Sequence, residues 1–593
     1  MLTTLLITCL TSTCFSFTPR HYMNRTMMIP SSWDIIGKPQ SNTIIEFGLL
    51  LPQNNIEQLE EELLIRSDPN TESYGKWLSK NEIDKLIFSN NHNFDAITYW
   101  ISNITLSYTC IYTADSIYCR TSIENINILF DTEMLEYINS YTKTKFYSGR
   151  KMGYSIPLHL KNIIKLVIGV GDFIEYRNKP MKSKHLQYGT YYVTPTSVKE
   201  LYNIRNYTHS YTSSQSVVEF QNDKCFNKND LIYFLKDNDL DNITITKSHI
   251  IGECDMNTPD PDIEASLDIQ YQVGINTNTF QEYISVPDWI YQFANTLYNL
   301  EDPPLVNSIS YGWAEWDQCD TMVFPECYII GDSEYYSRRT NIEFMKLALR
   351  GITILSASGD AGASGRTNEE CNNYTKGKLL NPVFPASSPY IFSVGGTVIT
   401  NPRKINSTTP FCKTHKCIGG GEEINCNFER CRWTSGGGFS NYFKRPWWQD
   451  YSATTYLNSK TIFPPEKYFN KFGRIYPDIA AVSHNFIIRT NGNYVSVDGT
   501  SASTPVISGM ITILNNLRLS QNKPSVGLVA PLLYTIYAKC PDCFKDITEG
   551  SNNSTEATFC KYGYAAAKGF DAVYGLGTPN FDKIYEYVKN MNM

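Results

Sequence analysis

The 593-residue chain has no apolar run of about 18–20 residues beyond its N-terminus, so no transmembrane helix and no membrane partner are expected. It also lacks an excess of basic residues, since 52 lysines and arginines stand against 59 acidic residues. The resulting net charge of −7 argues against a nucleic-acid partner, which would need a basic patch or stripe. The composition, 42% hydrophobic, is instead typical of a globular protein with more than one domain.

Zinc-finger spacing is absent from the 16 cysteines, which include only a lone Cys-x-x-Cys motif, Cys540–Cys543. So many cysteines, together with several Asn-x-Ser/Thr sequons, are typical of an exported protein with disulfides. We expect Cys540 and Cys543 to join two separate disulfides. A polar insert contains four cysteines that we expect to form a local staple: Cys412, Cys417, Cys426 and Cys431.

The N-terminus is short and apolar and ends in small residues, which predicts a signal peptide over residues 1–16. The usual positive charge near the start is missing, because the first basic residue is Arg20. A buried N-terminal strand is the alternative interpretation.

None of the eight histidines is followed by glycine, the context in which subtilisin-type enzymes hold their general base. The chain nevertheless contains Gly499-Thr500-Ser501-Ala502, in which glycine and small residues favour a tight strand-to-helix turn. A serine at such a turn is exposed beside backbone N–H groups, as a nucleophile must be. Ser501 is therefore either a nucleophile with an unusual base or a residue of an ordinary helix cap.

Glu264 and Asp268 are the candidates for that base and its partner. They are four residues apart in a segment whose apolar residues recur at helical spacing, so both carboxyls lie on one face. We expect Asp260 to cap this helix and Pro261 to be its first residue. The alternative is a solvated acidic face near a helix N-terminus, where acidic residues are favoured.

Asp360 lies in a Gly-Asp-x-Gly turn directly after an apolar run, residues 352–357. Open α/β sheets place their chemistry in loops at the carboxyl ends of strands, although an aspartate there can be a turn residue only. Alternating strands and helices predict a parallel sheet covered on both faces. The predicted strands are 305–310, 352–357 and 391–394, and the predicted helices are 335–349 and 504–519.

Together these motifs resemble the sedolisin family of serine-carboxyl peptidases. Four more segments match in the family's order: 308–312, 384–390, 435–440 and 476–480. The resemblance implies that Ser501 is the nucleophile, Glu264 the general base, Asp268 its orienting partner and Asp360 the oxyanion aspartate. One departure is Asp498, where serine is more usual, and it adds a negative charge beside the nucleophile.

The resemblance also implies an α/β fold, with a subtilisin-like catalytic domain whose parallel sheet is covered by helices. A ferredoxin-like α+β prodomain would precede it, because segment 67–79 is similar to the family's activation domain. The implied domains are a signal peptide (1–16), an activation prodomain (17–189) and a peptidase domain (190–593). Cleavage would occur near the basic linker 177–185, and the prodomain would act as intramolecular inhibitor and chaperone.

One calcium ion per catalytic domain is implied near the C-terminus. Its ligands would be the side chains of Asp546 and Asp571 and the carbonyls of Ile547, Ala567 and Gly569. Loops suit calcium, which takes oxygen ligands in flexible geometry, and the alternative is two loop aspartates without an ion. The resemblance further implies three disulfides: Cys110–Cys119, Cys371–Cys543 and Cys540–Cys560.

The implied function is an acid serine peptidase, lysosomal or secreted, that is made as a zymogen and releases tripeptides from free N-termini of peptides. An endopeptidase of the same family and a catalytically inactive peptide-binding homologue are the alternatives. An acidic working pH is expected because the base is a carboxylate and because Asp360 must be protonated to donate a hydrogen bond to the oxyanion.

Overall fold

The computed structural model describes residues 19–22, 29, 33–104, 107–140, 143, 145–149, 151, 153–171, 183–187, 189–205, 207, 212–220, 224–287, 289–318, 333–372 and 380–591. The chain forms two compact units. The first comprises Met1–Gln53, Phe88–Phe173 and Phe324–Ile330, and the second comprises Asn54–Ile87, Ile174–Val323 and Gly331–Met593. The predicted signal peptide, 1–16, lies outside the described residues. Among the helices described, none has the length and apolarity needed to cross a membrane.

The described helices are α1 (Ile56–Ser67), α2 (Lys80–Ile87), α3 (Asn91–Ile104), α4 (Ile123–Phe130), α5 (Pro195–Leu201), α6 (Lys228–Asp237), α7 (Ile263–Ile275), α8 (Ile290–Asn299), α9 (Ser333–Leu349), α10 (Pro410–Thr414), α11 (Phe428–Cys431), α12 (Asp450–Leu457), α13 (Thr500–Ser520), α14 (Val529–Lys539) and α15 (Phe581–Lys589).

The described strands of the first unit are β1 (Arg20–Tyr22), β2 (Trp33–Gly37), β3 (Ile44–Leu50), β4 (Tyr108–Tyr112), β5 (Ser116–Ser122), β6 (Leu135–Asn139), β7 (Lys145–Ser148), β8 (Ser155–Pro157) and β9 (Leu166–Ile168). Those of the second unit are β10 (Ser183–His185), β11 (Tyr191–Tyr192), β12 (Ser214–Phe220), β13 (Ile250–Ile251), β14 (Phe280–Val286), β15 (Val306–Ile309), β16 (Trp313–Ala314), β17 (Thr353–Ala357), β18 (Val383–Phe384), β19 (Phe392–Lys404), β20 (Lys416–Asn425), β21 (Gly438–Lys444), β22 (Gly473–Tyr476), β23 (Ile479–Val482), β24 (Phe486–Thr490), β25 (Asn493–Val497), β26 (Phe544–Lys545) and β27 (Thr578–Pro579).

The first unit is an α+β fold. Its main sheet is antiparallel with the strand order β4-β5-β3-β9, and a smaller sheet has the order β2-β6-β7. Helix α3 buries Ile97, Trp100 and Ile101, whose three- and four-residue spacing forms one apolar stripe. This stripe packs with α4 residues such as Phe130 and the inward face of β3 in one core. The α+β character expected of the N-terminal part is therefore confirmed.

The second unit is built on a large sheet with the order β11-β20-β19-β17-β15-β12-β14-β13, in which β23 also pairs with β19. Its pairings are parallel apart from β19–β20, which is antiparallel. The α/β class and the parallel sheet are confirmed, with β19–β20 as the one antiparallel pair among the described strands of this sheet. Helix α13 packs on α7 and across β15, β17 and β19, and it is buried on all sides, as a central helix is.

All three predicted helix starts differ from the structure, and the helix predicted over 335–349 begins two residues earlier, at Ser333. Helix α7 begins at Ile263 and is capped by Asp262, whose carboxylate accepts from the Glu264 N–H at 2.7 Å, whereas Asp260 is exposed and pairs with Lys224. Helix α13 begins at Thr500, four residues earlier than predicted, so Pro505 lies inside the helix rather than at its start. Proline removes one helical hydrogen bond there, and burial on all sides stabilises the helix despite that loss.

The disulfides confirm part of the expectation. Cys110 and Cys119 are directly opposite each other on β4 and β5 and are joined, and the local staple consists of Cys412–Cys417 and Cys426–Cys431. The pairings Cys371–Cys543 and Cys540–Cys560 are wrong. Cys371 is joined to Cys560 and Cys540 to Cys543, because these pairs have Cα atoms 5.5 and 5.4 Å apart, within disulfide reach. A further disulfide joins Cys225 to Cys254.

Candidate active site

The candidate nucleophile lies at a turn between a strand and a helix. Strand β25 ends at Val497, Gly499 has φ 140°, and Ser501 is the second residue of α13. A Cβ on Gly499 would be strained at that φ and would lie 3.1 Å from an Asp360 carboxylate oxygen, so glycine is required. Ser501 is 5% exposed, and its hydroxyl donates to the Ser310 carbonyl at 3.5 Å.

Helix α7 presents Glu264 and Asp268 to this serine. Burial raises the pKa of Glu264 well above its usual range, Asp268 raises it further, and the neighbouring Ser501 hydroxyl opposes the rise. One Glu264 oxygen is buried without a hydrogen-bond partner among the described residues. Asp268 is 0% exposed, so the alternative of a solvated acidic face is wrong for this residue.

Asp268 is held by a serine from the sheet. The Ser310 hydroxyl, one residue beyond β15, donates to Asp268 Oδ2 at 2.6 Å, while Oδ1 has no hydrogen-bond partner within the described ranges. Burial raises the pKa of Asp268 well above its usual range, and the Ser310 bond lowers it in part. The Ser310 carbonyl accepts from Ser501, so this one residue contacts both the serine and the acid pair.

Asp360 follows β17 and is anchored at the first residue of α13. Its Oδ1 accepts from the backbone N–H and the hydroxyl of Thr500, both at 2.8 Å. Its Oδ2 accepts from Arg366 Nη2 at 3.3 Å, and the same nitrogen donates to Glu556 at 2.9 Å. Burial raises the pKa of Asp360 and Arg366 opposes that rise.

The four candidate site residues thus lie at one end of the sheet, and one cavity is lined by Ser501, Thr500, Asp360 and parts of 310–314 and 357–367. Neighbouring parallel strands β15 and β17 end there, which brings Ser310 and Asp360 to the same edge.

Sequence reasoning missed three contributors to this cluster. Glu219, near the end of β12, is buried, accepts from the Tyr311 hydroxyl at 2.7 Å, and has a pKa raised well above its usual range by burial and then by Asp268 and Glu264. Arg366 lines the cavity, and Ser310 was noted only as part of a motif. The one available signal for Glu219 is a charged residue inside the otherwise apolar run Val217-Val218-Glu219-Phe220.

The five predicted calcium ligands come together in loops near the C-terminus. Burial raises the pKa of Asp571 to about 7, and the Asp546 carboxylate adds to that rise, so the two carboxylates are neighbours. Asp546 Oδ2 accepts from the Gly569 N–H at 2.8 Å. The carbonyls of Ile547, Ala567 and Gly569 accept no hydrogen bond from described residues. Two close carboxylates with three free carbonyls are a donor set that fits a calcium ion.

Residues 31–173 match the family model described as "Pro-kumamolisin, activation domain". The chain is 33% identical over 568 residues to physarolisin of Physarum polycephalum, covering 95% of this chain and 97% of that protein. It is 29% identical over 604 residues to tripeptidyl-peptidase 1 of Canis lupus familiaris, covering 97% of each.

Among solved structures, the chain is similar to Pseudomonas sedolisin, a serine-carboxyl proteinase complexed with two molecules of pseudo-iodotyrostatin. The TM-score is 0.50 at 21% identity, covering 68% of this chain and 99% of that chain. At that identity the similarity concerns the fold.

Proposed function

The chain belongs to the sedolisin family of serine-carboxyl peptidases, as a zymogen with an activation domain, and we propose that it releases tripeptides from free N-termini of peptides in acid. The observation that carries the proposal is the cluster of Ser501, Glu264 and Asp268 in one buried site, with Asp360 beside it. Tripeptide release is supported by similarity to tripeptidyl-peptidase 1 over 97% of the chain.

In the proposed reaction, Ser501 Oγ attacks the scissile carbonyl while Glu264 accepts the serine proton. Asp268 orients Glu264, and the two carboxyls together carry one negative charge. Asp360, as a neutral carboxyl, donates a hydrogen bond to the oxyanion that forms. The C–N bond then breaks, Glu264 returns the proton to the leaving amine, and a water molecule attacks the acyl-enzyme by the same route in reverse.

Because their pKa values are raised, Glu264, Asp268 and Asp360 keep their protons to a higher pH than exposed carboxyls do. Glu264 and Asp268 interact strongly, so they titrate as a pair, and only one of the two needs to be charged for proton transfer. A protonated Asp360 is favoured by the burial that raises its pKa. These requirements agree with a lysosomal or secreted peptidase of an acidic compartment.

Residues of the activation region pack on the peptidase residues within the second unit. The Trp77 indole N–H donates to the Ser525 carbonyl at 3.0 Å, and a Cβ on Gly351 or Gly527 would collide with the Trp77 ring. The Tyr390 hydroxyl donates to Glu60 at 2.5 Å. These contacts support the proposal that the prodomain, ending near residue 189, is an intramolecular inhibitor and chaperone removed on maturation.

Calcium is the cofactor that we propose for the C-terminal loops. Asp546 and Asp571 would hold it by their carboxylates, and Ile547, Ala567 and Gly569 by their carbonyls. When bound, the ion supplies positive charge that neutralises the exposed Asp546 and the buried Asp571 carboxylates and thereby stabilises the folded enzyme. The residues of the reaction lie elsewhere and act without it.

The test is to acidify the purified precursor and follow cleavage of an unblocked tripeptide-amide substrate and of the same substrate with an acetylated N-terminus. We expect cleavage of the first only, with Ser501→Ala inactive as the control. Equal cleavage of the acetylated substrate would establish the endopeptidase alternative. Absence of cleavage of either substrate by the acid-treated wild type would contradict the peptidase proposal.

A further inference from the structure

Part of the linker before the peptidase domain forms a strand beside the nucleophile. Strand β10 pairs antiparallel with β25, the strand that leads into the Gly499 turn and Ser501. In the register, Ser183 is opposite Val497 and His185 is opposite Val495. The linker therefore runs away from Ser501 as its residue number rises.

The direction of the linker strand indicates which side of a scissile bond it corresponds to. When a peptide bond near Ser501 is cleaved, the chain on its C-terminal side leaves as the amine product. A peptide that runs along β25 away from Ser501 in its N-to-C direction follows the path of that leaving segment. Residues 183–185 thus occupy the position of a substrate's leaving side, paired by main-chain hydrogen bonds as peptide strands often are.

Asp498 holds the linker there through its side chain. The Lys184 ammonium lies 2.6 Å from Asp498 Oδ2. On the other side, Oδ1 accepts from the Asn485 N–H at 2.7 Å and lies 2.9 Å from His484 Nδ1. The Asp498 side chain is 8% exposed, whereas Lys184 is 45% exposed and reaches the carboxylate from the solvent side.

The surroundings of Asp498 favour the charged form of its carboxylate, which can pair with a cation. Burial alone would raise the pKa of Asp498, but His484, Lys184 and the Asn485 N–H together lower it below its usual value. Oδ1 is therefore satisfied by groups of the peptidase domain, while Oδ2 depends on the linker. Departure of the linker would leave one oxygen of a nearly buried carboxylate without its cation, which is a costly arrangement.

We propose that Asp498 forms a subsite for a lysine or arginine side chain of the substrate, on the leaving side of the scissile bond. Lys184 occupies this subsite in the zymogen, and a cationic substrate residue replaces it in the mature enzyme. The inference rests on the proposed peptidase function and on removal of the linker up to about residue 189. Serine, the more usual residue at this position, would offer no charge, so the preference belongs to this chain.

The experiment uses acid-matured enzyme and peptides with a free N-terminus and one common N-terminal tripeptide. Lysine, alanine or glutamate is placed in turn at the second, third and fourth positions after the scissile bond. We expect kcat/KM to be about five- to tenfold higher for lysine than for alanine at one of these positions, and lowest for glutamate. In Asp498→Asn the lysine-to-alanine ratio should fall to about one.

Asp230→Asn is the matched control. Asp230 is also nearly buried, at 7% side-chain exposure, and it pairs with Arg489 and accepts from the Gly492 N–H at the far end of the β24–β25 hairpin. Asp230 lies on α6 and contacts the hairpin far from Ser501, so Asp230→Asn removes one negative charge without touching the proposed subsite, and its lysine-to-alanine ratio should equal that of the wild type. If Asp498→Asn is not recovered as folded protein, Asp498→Ser provides the same comparison.

Equal kcat/KM for lysine, alanine and glutamate at all three positions would overturn the inference. A mature N-terminus at or before Lys184, found by N-terminal sequencing, would also overturn it, because the linker cation would remain in place. Failure of the proposed function is a different result, in which none of the peptides is cleaved. Calorimetric binding of the lysine and alanine peptides to the matured chain would then decide whether this subsite exists.

Discussion

Replacing Ser310 by alanine removes one hydroxyl and leaves the backbone in place. In the structure that hydroxyl donates to Asp268 Oδ2 at 2.6 Å, and it is the one hydrogen-bond donor to this carboxyl among the described residues. Asp268 is fully buried and its other oxygen has no partner in the same ranges. The Ser310→Ala variant therefore leaves a buried carboxyl without a donor at the point where it must orient Glu264.

The size of the effect follows from the charge on the acceptor. A hydrogen bond to a charged group contributes about 1.5–3 kcal/mol, which corresponds to a loss in kcat of roughly 10- to 150-fold if Asp268 needs the bond in the transition state. The Ser310 bond lowers the pKa of Asp268, so its removal raises that pKa further. The charged form of the acid pair is then lost at a higher pH, and the acidic limb of the pH–rate profile should move upward.

The assay is kcat and KM on an unblocked tripeptide-amide substrate across the acidic pH range. Ser308→Ala is the matched control, because Ser308 is a buried serine two residues earlier, in β15, and its hydroxyl has no hydrogen-bond partner among the described residues. We expect Ser308→Ala to match the wild type and KM to change little in Ser310→Ala. A Ser310→Ala enzyme with wild-type kcat and an unmoved acidic limb would refute the assignment of Asp268 as the orienting partner.

The other predictions concern the acid cluster and the metal site. Glu264→Gln and Asp268→Asn should each lower kcat by orders of magnitude. The double variant should lose little more activity than either single variant, because the pair acts as one unit. Small, additive losses of kcat in steady-state kinetics would contradict this prediction. Asp268→Asn should also raise the melting temperature at neutral pH. A carboxyl with a raised pKa contributes stability only at low pH, and that contribution is lost as the pH rises through its folded pKa. An unchanged or lower melting temperature by calorimetry would count against burial as the cause of the raised pKa. Asp360→Asn should retain more activity toward higher pH than Asp360→Ala, because the amide remains a donor where a carboxyl would ionise, and identical pH–rate profiles would remove Asp360 from the oxyanion site. Chelation of calcium should lower the melting temperature, because free calcium at 100 times its Kd adds about 2.7 kcal/mol to the free energy of unfolding. The melting temperature of Asp571→Asn should no longer respond to the chelator. A protein that resists the chelator and contains no calcium by elemental analysis would contradict the proposal.

Local spacing in the sequence predicted a large part of the site. Glu264 and Asp268 lie on one face of α7 because helical residues four apart are always neighbours. The Gly499-Thr500-Ser501 element predicted a strand-to-helix turn, and β25 and α13 confirm it. The apolar run before Asp360 predicted a strand whose carboxyl end carries a functional side chain. Each of these conclusions depends only on residues close together in the chain.

The local sequence pattern was less reliable at the starts of helices. Asp260 and Asp262 both precede the helix and both are good capping residues, so only the backbone geometry could select Asp262. The helix predicted over 504–519 begins earlier, at Thr500, because packing against α7 and the sheet stabilises the turns before Pro505. Cysteine pairing also cannot be read from local pattern, because Cys371 can be joined to any cysteine that the fold brings within reach.

The sequence by itself predicted a serine beside a carboxyl pair and the α/β class, from residue identity, short-range periodicity and the resemblance to the sedolisin family. Only the tertiary structure decided which distant groups surround them: Ser310 on Asp268 across 42 residues, Glu219 on Tyr311 across 92, and Lys184 on Asp498 across 314. It also decided the protonation behaviour of the carboxyls, because a pKa depends on burial and on neighbouring charges. Those quantities arise when remote strands and helices pack together, and no local pattern records them.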